Sequence, residues 1–183
     1  MAAVMTQPWD RSLTADDFFA IHTPDDGNRY ELIDGVIVVS PSPFVPHQSV
    51  QMQLVRCLLP RCPDDLRLFA APLDVTLFND TVVEPDLLIV RAEDATGDRL
   101  AGVPVLVVEI LSDYNRGQDL LLKRSRYERA GIPAYWIVDP RSLEIKVLEL
   151  GGDGTYAEVV HTDLAAAPLQ LDKPFPVTLR LAR

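Results

Sequence analysis

At 183 residues, 48% of them apolar, the chain is long enough to close one domain around a substantial core and too short for two. Its formal charge of −10 argues against a broad, sequence-independent nucleic-acid footprint, which needs lysines and arginines set against phosphates. No apolar run approaches the ~20 residues of a membrane span, residues 1–11 lack the apolar heart of a secretory signal, and Cys57 and Cys62 form neither a disulfide framework nor a CxxC motif; a soluble, cytoplasmic protein is expected.

Residues 1–12 read as a loose leader, followed by a single domain over 13–183. Leu13 to Ile21 has helical spacing, with Ser12 or Thr14 as N-cap and Asp16-Asp17 in the first turn, where the helix dipole favours acid. Tyr30 to Val39 predicts a hairpin about Asp34-Gly35. Glu31 within it is either a third carboxylate at a metal site or an exposed strand residue, and the pattern alone favours the latter. After the break Ser40-Pro41-Ser42-Pro43, His47 to Leu59 predicts an amphipathic helix striped by Val50, Leu54, Val55 and Leu58 and ended by Pro60. His47 reads as a cap or a surface residue, or as a phosphate ligand if the helix mouth faces a cleft. Arg67–Ala71 and Leu73–Phe78 predict short strands, and Asn79-Asp80 a turn into one strand from Val82 to Val90.

The chemistry concentrates between Glu84 and Lys123. Asp86 stands at the start of the run Leu87-Leu88-Ile89-Val90, which reads as a strand buried on both faces. In Val105 to Leu111, alternation puts Glu109 on one face with Val105 and Val107. A carboxylate there needs a cation, a proton or several donors. Asp113-Tyr114-Asn115 then suits a turn, and a helix is expected from about Arg116 to Ala130, stopped by Gly131 and Pro133. Leu120, Lys123 and Tyr127 share one face of it, turning the lysine inward. Two carboxylates on neighbouring strands suit a hard cation such as Mg2+ or Mn2+, and a nearby ammonium can position water or stabilise developing charge. Together they suggest metal-dependent phosphodiester hydrolysis. Structural alternatives exist for each residue: Asp86 as a turn former, Glu109 in an ion pair with Lys123 or Arg124, and Asp119 with Lys123 as a solvated pair. Arg116, Arg124, Arg126 and Arg129 join Lys123 as a local positive cluster or as an ordinary solvated face. Farther on, Ala134–Val138, Leu143–Leu150 and Tyr156–Val160 predict strands, and Leu169–Leu181 a closing edge segment.

Six motifs carry a resemblance. Tyr30-Glu31-Leu32-Ile33-Asp34-Gly35, the Ser-Pro break with His47, Val83-Glu84-Pro85-Asp86, Val107-Val108-Glu109-Ile110-Leu111-Ser112, Asp119-x-x-x-Lys123-x-x-x-Tyr127 with Ala130-Gly131-Ile132-Pro133, and Tyr135-Trp136-Ile137-Val138-Asp139-Pro140 together resemble the Uma2 family. Those proteins are restriction-endonuclease-like, with a PD-(D/E)xK nuclease core. The resemblance implies that Pro85-Asp86 is the PD half-motif, that Glu109 is the second acid, and that the backbone carbonyl of Ile110 is a further metal contact. Leu111 occupies the usual lysine position, so the lysine is taken from the following helix as Lys123. Tyr127 would support the site, and Glu31 would be the acid from the N-terminal part of the core. Ser112-Asp113-Tyr114-Asn115 departs from the common Ser-Pro-Ser-Thr of the family.

The expected fold is α/β, or α+β: a mixed, largely antiparallel curved sheet flanked by the His47 and Arg116 helices. The expected function is Mg2+- or Mn2+-dependent endonuclease chemistry on DNA by a homodimer, with Asp86, Glu109 and Lys123 catalytic. The rival readings are an inactive nuclease-like binding module and a hydrolase of small phosphate esters.

Overall fold

The structure, a computed structural model, describes residues 3–4, 12–21, 23–96, 100, 102–112 and 118–182. Among these residues thirteen strands and three α-helices follow in the order β1 (Ala3–Val4), α1 (Ala15–Ala20), β2 (Arg29–Ile33), β3 (Val36–Ser40), α2 (Val45–Leu58), β4 (Leu66–Ala70), β5 (Val75–Phe78), β6 (Thr81–Val83), β7 (Leu87–Arg91), β8 (Leu106–Ile110), α3 (Gln118–Ala130), β9 (Ala134–Val138), β10 (Glu144–Leu150), β11 (Tyr156–Asp163), β12 (Leu169–Leu171) and β13 (Val177–Leu179). The family-level α+β expectation holds, but the strands form two principal sheets where one was expected. One runs β1-β3-β2-β6-β5 and the other β11-β10-β9-β8-β7-β4, and β12-β13 makes a separate hairpin.

The division falls inside the stretch read as a single strand from Val82 to Val90. Residues 84–86 leave the ladder, so β6 pairs in the first sheet and β7 in the second. Pro85 has no N–H to give a neighbouring strand, which makes this the natural place for the chain to change sheets. Asp86 therefore sits at the seam rather than within a continuous strand.

The second sheet is covered on both faces. Val50, Leu54 and Leu58 of α2 pack with Leu87, Leu106, Val108, Ile110 and Trp136, and residues of the β12-β13 hairpin close the same cluster. The tail is thus a lid over α2, not an added edge of the main sheet. On the opposite face Tyr127 of α3 packs with Leu88, Val107, Tyr135 and Tyr156. Parallel pairing of β8 with β9 brings α3 back across the sheet, as a parallel connection requires. The face carrying Val107 also carries Glu109, as alternation predicts.

The smaller sheet is held by α1, whose Ala15 and Phe18 pack with Leu32, Ile37 and Val82. Thr14 is the N-cap and exchanges hydrogen bonds with Asp17 in a capping box. The β2-β3 hairpin turns through Asp34 and Gly35, both with positive φ, the conformation that a two-residue hairpin loop demands. Within the segment expected to be a loose leader, Ala3 and Val4 pair with Val39 and Val38. The turn at Asp113-Tyr114-Asn115 and Arg116 lie outside the described residues, as does the side chain of Asp119. No helix among the described residues is long and apolar enough to cross a membrane.

Leu54 is fully buried beneath the sheet whereas Leu121 of α3 is largely exposed. Leu54→Ala is expected to lower unfolding free energy by about 2–5 kcal/mol in denaturant titration. Leu121→Ala should stay within about 0.5 kcal/mol of wild type.

Candidate active site

Two buried networks meet at the seam between the sheets. In the first, the Lys123 ammonium lies between two carboxylates, with Nζ 2.8 Å from Glu31 Oε1 and 3.1 Å from Glu109 Oε1. Tyr127 donates its hydroxyl to the same Glu109 oxygen at 2.6 Å, and the Glu84 backbone N–H donates to Glu31 Oε1 at 2.8 Å. One turn of helix separates Lys123 from Tyr127, which is why both reach a single carboxylate. Glu31 is buried, and the exposed alternative considered for it does not hold. Lys123 points inward to these acids, so it is not a solvated helix-surface residue.

The second network surrounds Asp86. The Ile110 backbone N–H donates to Asp86 Oδ2 at 2.7 Å, His47 Nε2 lies 3.1 Å from that oxygen, and Arg29 Nη2 donates to Oδ1 at 2.7 Å. Arg29 Nε also contacts Glu84 Oε1 at 2.8 Å. Gln51, one turn after His47 on α2, donates to the Asp86 carbonyl at 2.8 Å. The Ile110 contact follows from the sheet register. Leu87 pairs with Val108, so continuing the antiparallel pairing brings Ile110 opposite Pro85, where the chain has left the ladder. The Asp86 side chain satisfies the N–H that this departure exposes. His47 is buried against Asp86 and is neither a surface residue nor a simple helix cap.

The two acids titrate in opposite directions. Burial would raise the Asp86 pKa, but the His47 hydrogen bond, Arg29 and the Ile110 N–H overcome it and bring it to about 2. Ionised Asp86 can only accept, which places the proton of His47 on Nε2. Burial raises Glu109 above the ordinary carboxylate range, and Lys123 only partly offsets this because Asp86 and Glu31 are close. For Lys123 burial acts downward, yet Glu109 and Glu31 prevail and raise its pKa, so it remains a cation at neutral pH and cannot serve as a base. Tyr127 is pushed well above its usual value by burial and by Glu109, which keeps its hydroxyl as a donor.

The donor chemistry fits a hard divalent ion. Glu109 Oε2 is buried with no hydrogen-bond partner among the described residues. Glu31, Glu84, Asp86 and Glu109 outnumber the cations Arg29 and Lys123 two to one. Among the described residues no three His, Cys, Asp or Glu side chains form a ready-made cage. An ion here would rest on two carboxylates and complete its shell with water and a backbone oxygen, as Mg2+ commonly does.

The helix arginines do not make a phosphate-facing patch among the described residues. Arg126 Nε bonds Asp34 Oδ1 at 2.7 Å, Arg124 donates to the Tyr156 carbonyl at 2.9 Å, and Arg129 stacks 4.0 Å over Phe78. Arg116 lies outside the described residues. Arg29, Gln51 and Glu84 were missed as site residues. Arg29 stands two before Glu31 in β2, and Gln51 four after His47 in α2, so strand and helix periodicity each carried a signal.

A model of the Uma2 family, described as "Putative restriction endonuclease", matches residues 15–182. The chain belongs to the Uma2 family. No curated protein matches its sequence. Among solved structures the chain resembles a "putative nuclease belonging to DUF820" from Anabaena variabilis, with a TM-score of 0.70 and 20% identity. That likeness covers 87% of this chain and 89% of the other, and it establishes a shared fold. Five of the six Uma2 motifs found in the sequence thus converge on one constellation: Glu31, His47, Asp86, Glu109, Lys123 and Tyr127 all lie in the two networks.

Because Glu109 binds its proton more tightly when folded, ionising it costs the native state stability above that raised pKa. The cost vanishes below about pH 4.3, where folded and unfolded forms are both protonated. Glu109→Gln is therefore expected to melt at least as high as wild type at pH 8, with the difference shrinking as pH falls towards 4. Asp86 acts with the opposite sign, its contribution being lost between about pH 3.9 and pH 2. Lys123→Met, which leaves two buried carboxylates without their cation, should cost about 3 kcal/mol or more in denaturant titration at pH 7.

Proposed function

We propose that this Uma2 protein is an endonuclease that hydrolyses DNA phosphodiester bonds with Mg2+ or Mn2+. The observation that carries the reading is the buried Lys123 ammonium shared by Glu31 and Glu109, next to a Glu109 oxygen that has no hydrogen-bond partner among the described residues. Asp86, Glu109 and the Ile110 carbonyl would hold the ion. When bound, it supplies Lewis-acid neutralisation of the phosphate and a water of lowered pKa.

The chain's own residues account for the remaining chemistry. Lys123, fixed as a cation, orients the attacking water or stabilises the charge that gathers on the phosphate oxygens. Tyr127 and Glu31 hold Glu109 and Lys123 in place, so little reorganisation is needed as charge develops. His47 and the Ile110 N–H keep Asp86 ionised and fix its plane. The acidic surface is compatible with DNA binding through a short contact at the cleft rather than a long basic track. Cutting both strands of a duplex is most simply done by a symmetric pair of chains.

One observation favours the rival reading of an inert module. Both Asp86 oxygens already have partners in Arg29, His47 and the Ile110 N–H.

Supercoiled plasmid and single-stranded DNA, incubated with Mg2+ or Mn2+, distinguish the two. Wild type is expected to cut, and Asp86→Ala, Glu109→Gln and Lys123→Ala to lose about 100-fold or more in rate while circular dichroism reports a folded chain. Failure of the wild type to cut with either ion, together with no ion binding by calorimetry, would leave the inert module standing.

A further inference from the structure

Arg29 has a position that nuclease chemistry alone does not require. Its guanidinium bridges Asp86 Oδ1 and Glu84 Oε1 at 2.7 and 2.8 Å. That places a fixed positive charge on the carboxylate oxygen to which a divalent ion would otherwise have access. The other Asp86 oxygen is committed to His47 and to the Ile110 N–H, a backbone contact that cannot be surrendered without opening the seam. Asp86 can therefore offer Oδ1 to an ion only if Arg29 moves.

The surroundings allow that movement. The Arg29 side chain retains 16% exposure, whereas Asp86, Glu109 and Lys123 are nearly sealed. It lines the narrow crevice that also contains Glu31, Ser112 and Lys123. It also lines an open cleft of about 660 Å³ beside Tyr30, Gln48 and Glu84. A guanidinium released from Asp86 thus remains at the mouth of the site, tethered to β2 and, through Nε, still within reach of Glu84. A planar fork with several donors is well suited to the two free oxygens of a phosphodiester.

We propose that Arg29 is an exchangeable counter-ion of the site: it occupies Asp86 in place of a divalent ion, yields to that ion, and once released binds the substrate phosphate. The exchange rests on the metal-site reading above. It leaves the number of cations facing Asp86 nearly constant, so neither state buries a bare carboxylate. It also gives a reason for a saturated Asp86 in a chain of this family.

The test is calorimetric titration of the full chain with Mn2+ and Mg2+, without DNA, comparing wild type with Arg29→Gln. Removing a competing charge in direct contact with Asp86 should tighten ion binding by about ten-fold or more. Saturating ion should also raise Tm more in the variant than in wild type. The KM for DNA should move the opposite way, rising several-fold at saturating ion. Tighter ion binding with a raised KM is a pairing that a purely structural arginine would not produce. Unchanged or weaker ion binding in Arg29→Gln overturns the exchange, even if wild type binds ion and cuts DNA, in which case the nuclease reading survives without it. An unchanged KM overturns the phosphate role.

If Arg29→Gln folds only when ion is added, that ion-dependent folding itself supports the exchange. If it does not fold under any condition, Arg29→Lys replaces it. This variant keeps the charge but replaces the two separate nitrogens that reach Glu84 and Asp86 with a single one on a shorter stem, which weakens its hold on Asp86. It should bind ion more tightly than wild type, and equal or weaker affinity overturns the proposal. Should neither wild type nor variant bind ion, the exchange and the metal-site reading fail together.

Discussion

A carboxylate at the centre of a buried strand is the constraint on which the rest of this structure depends. Glu109 occupies a position that alternation assigns to the core, and the fold accepts it only because Lys123 and Tyr127 arrive from α3 to meet one of its oxygens. Lys123 in turn is tolerable in the interior because Glu31 on the other sheet shares its charge. The consecutive elements β8 and α3 are thereby pinned to the distant β2 by electrostatics within an otherwise apolar setting. Removing the shared cation is far costlier than its net contribution would suggest, since two carboxylates are left buried without it.

Asp86 solves the same problem differently. It stands where the chain changes sheets, and there it takes up the Ile110 N–H that the departing strand leaves without a partner. Backbone geometry thus fixes the carboxylate, and Arg29 and His47 keep it ionised. The two acids are separated in proton affinity by their surroundings: one is held as an anion by direct donors, the other is pressed towards its neutral form by burial. Neighbouring carboxylates with divergent pKa values are the usual preparation for acid-base or metal chemistry.

The cations divide by role as well. Lys123 is locked within the interior, whereas Arg29 keeps access to solvent. The arginines along α3 serve the fold, tying the helix to the β2-β3 turn, to β11 and to Phe78. The positive charge within the site among the described residues is therefore that of Lys123 and Arg29, and the α3 arginines add no basic track to it.

Much of this was legible in the sequence because it depends on short-range periodicity. Strand alternation placed Glu109 in the core, helical spacing turned Lys123 and Tyr127 inward on one face, and Asp34-Gly35 located the hairpin that carries Glu31. The Uma2 motifs tied these residues together in advance of any geometry. What the sequence could not determine is whatever depends on the chain's path after Pro85. A proline permits a change of sheet but does not require one, so Val82–Val90 read equally well as a single strand. The burial of Glu31, the contact of His47 with Asp86 and the bridge made by Arg29 all arise from the packing of β2 and α2 against that seam. Sequence alone determined which residues carry charge and which face they occupy on their own helix or strand. Only the tertiary structure decided which polar groups meet, because contacts across 39 or 57 residues are set by where separate elements pack and not by any local pattern.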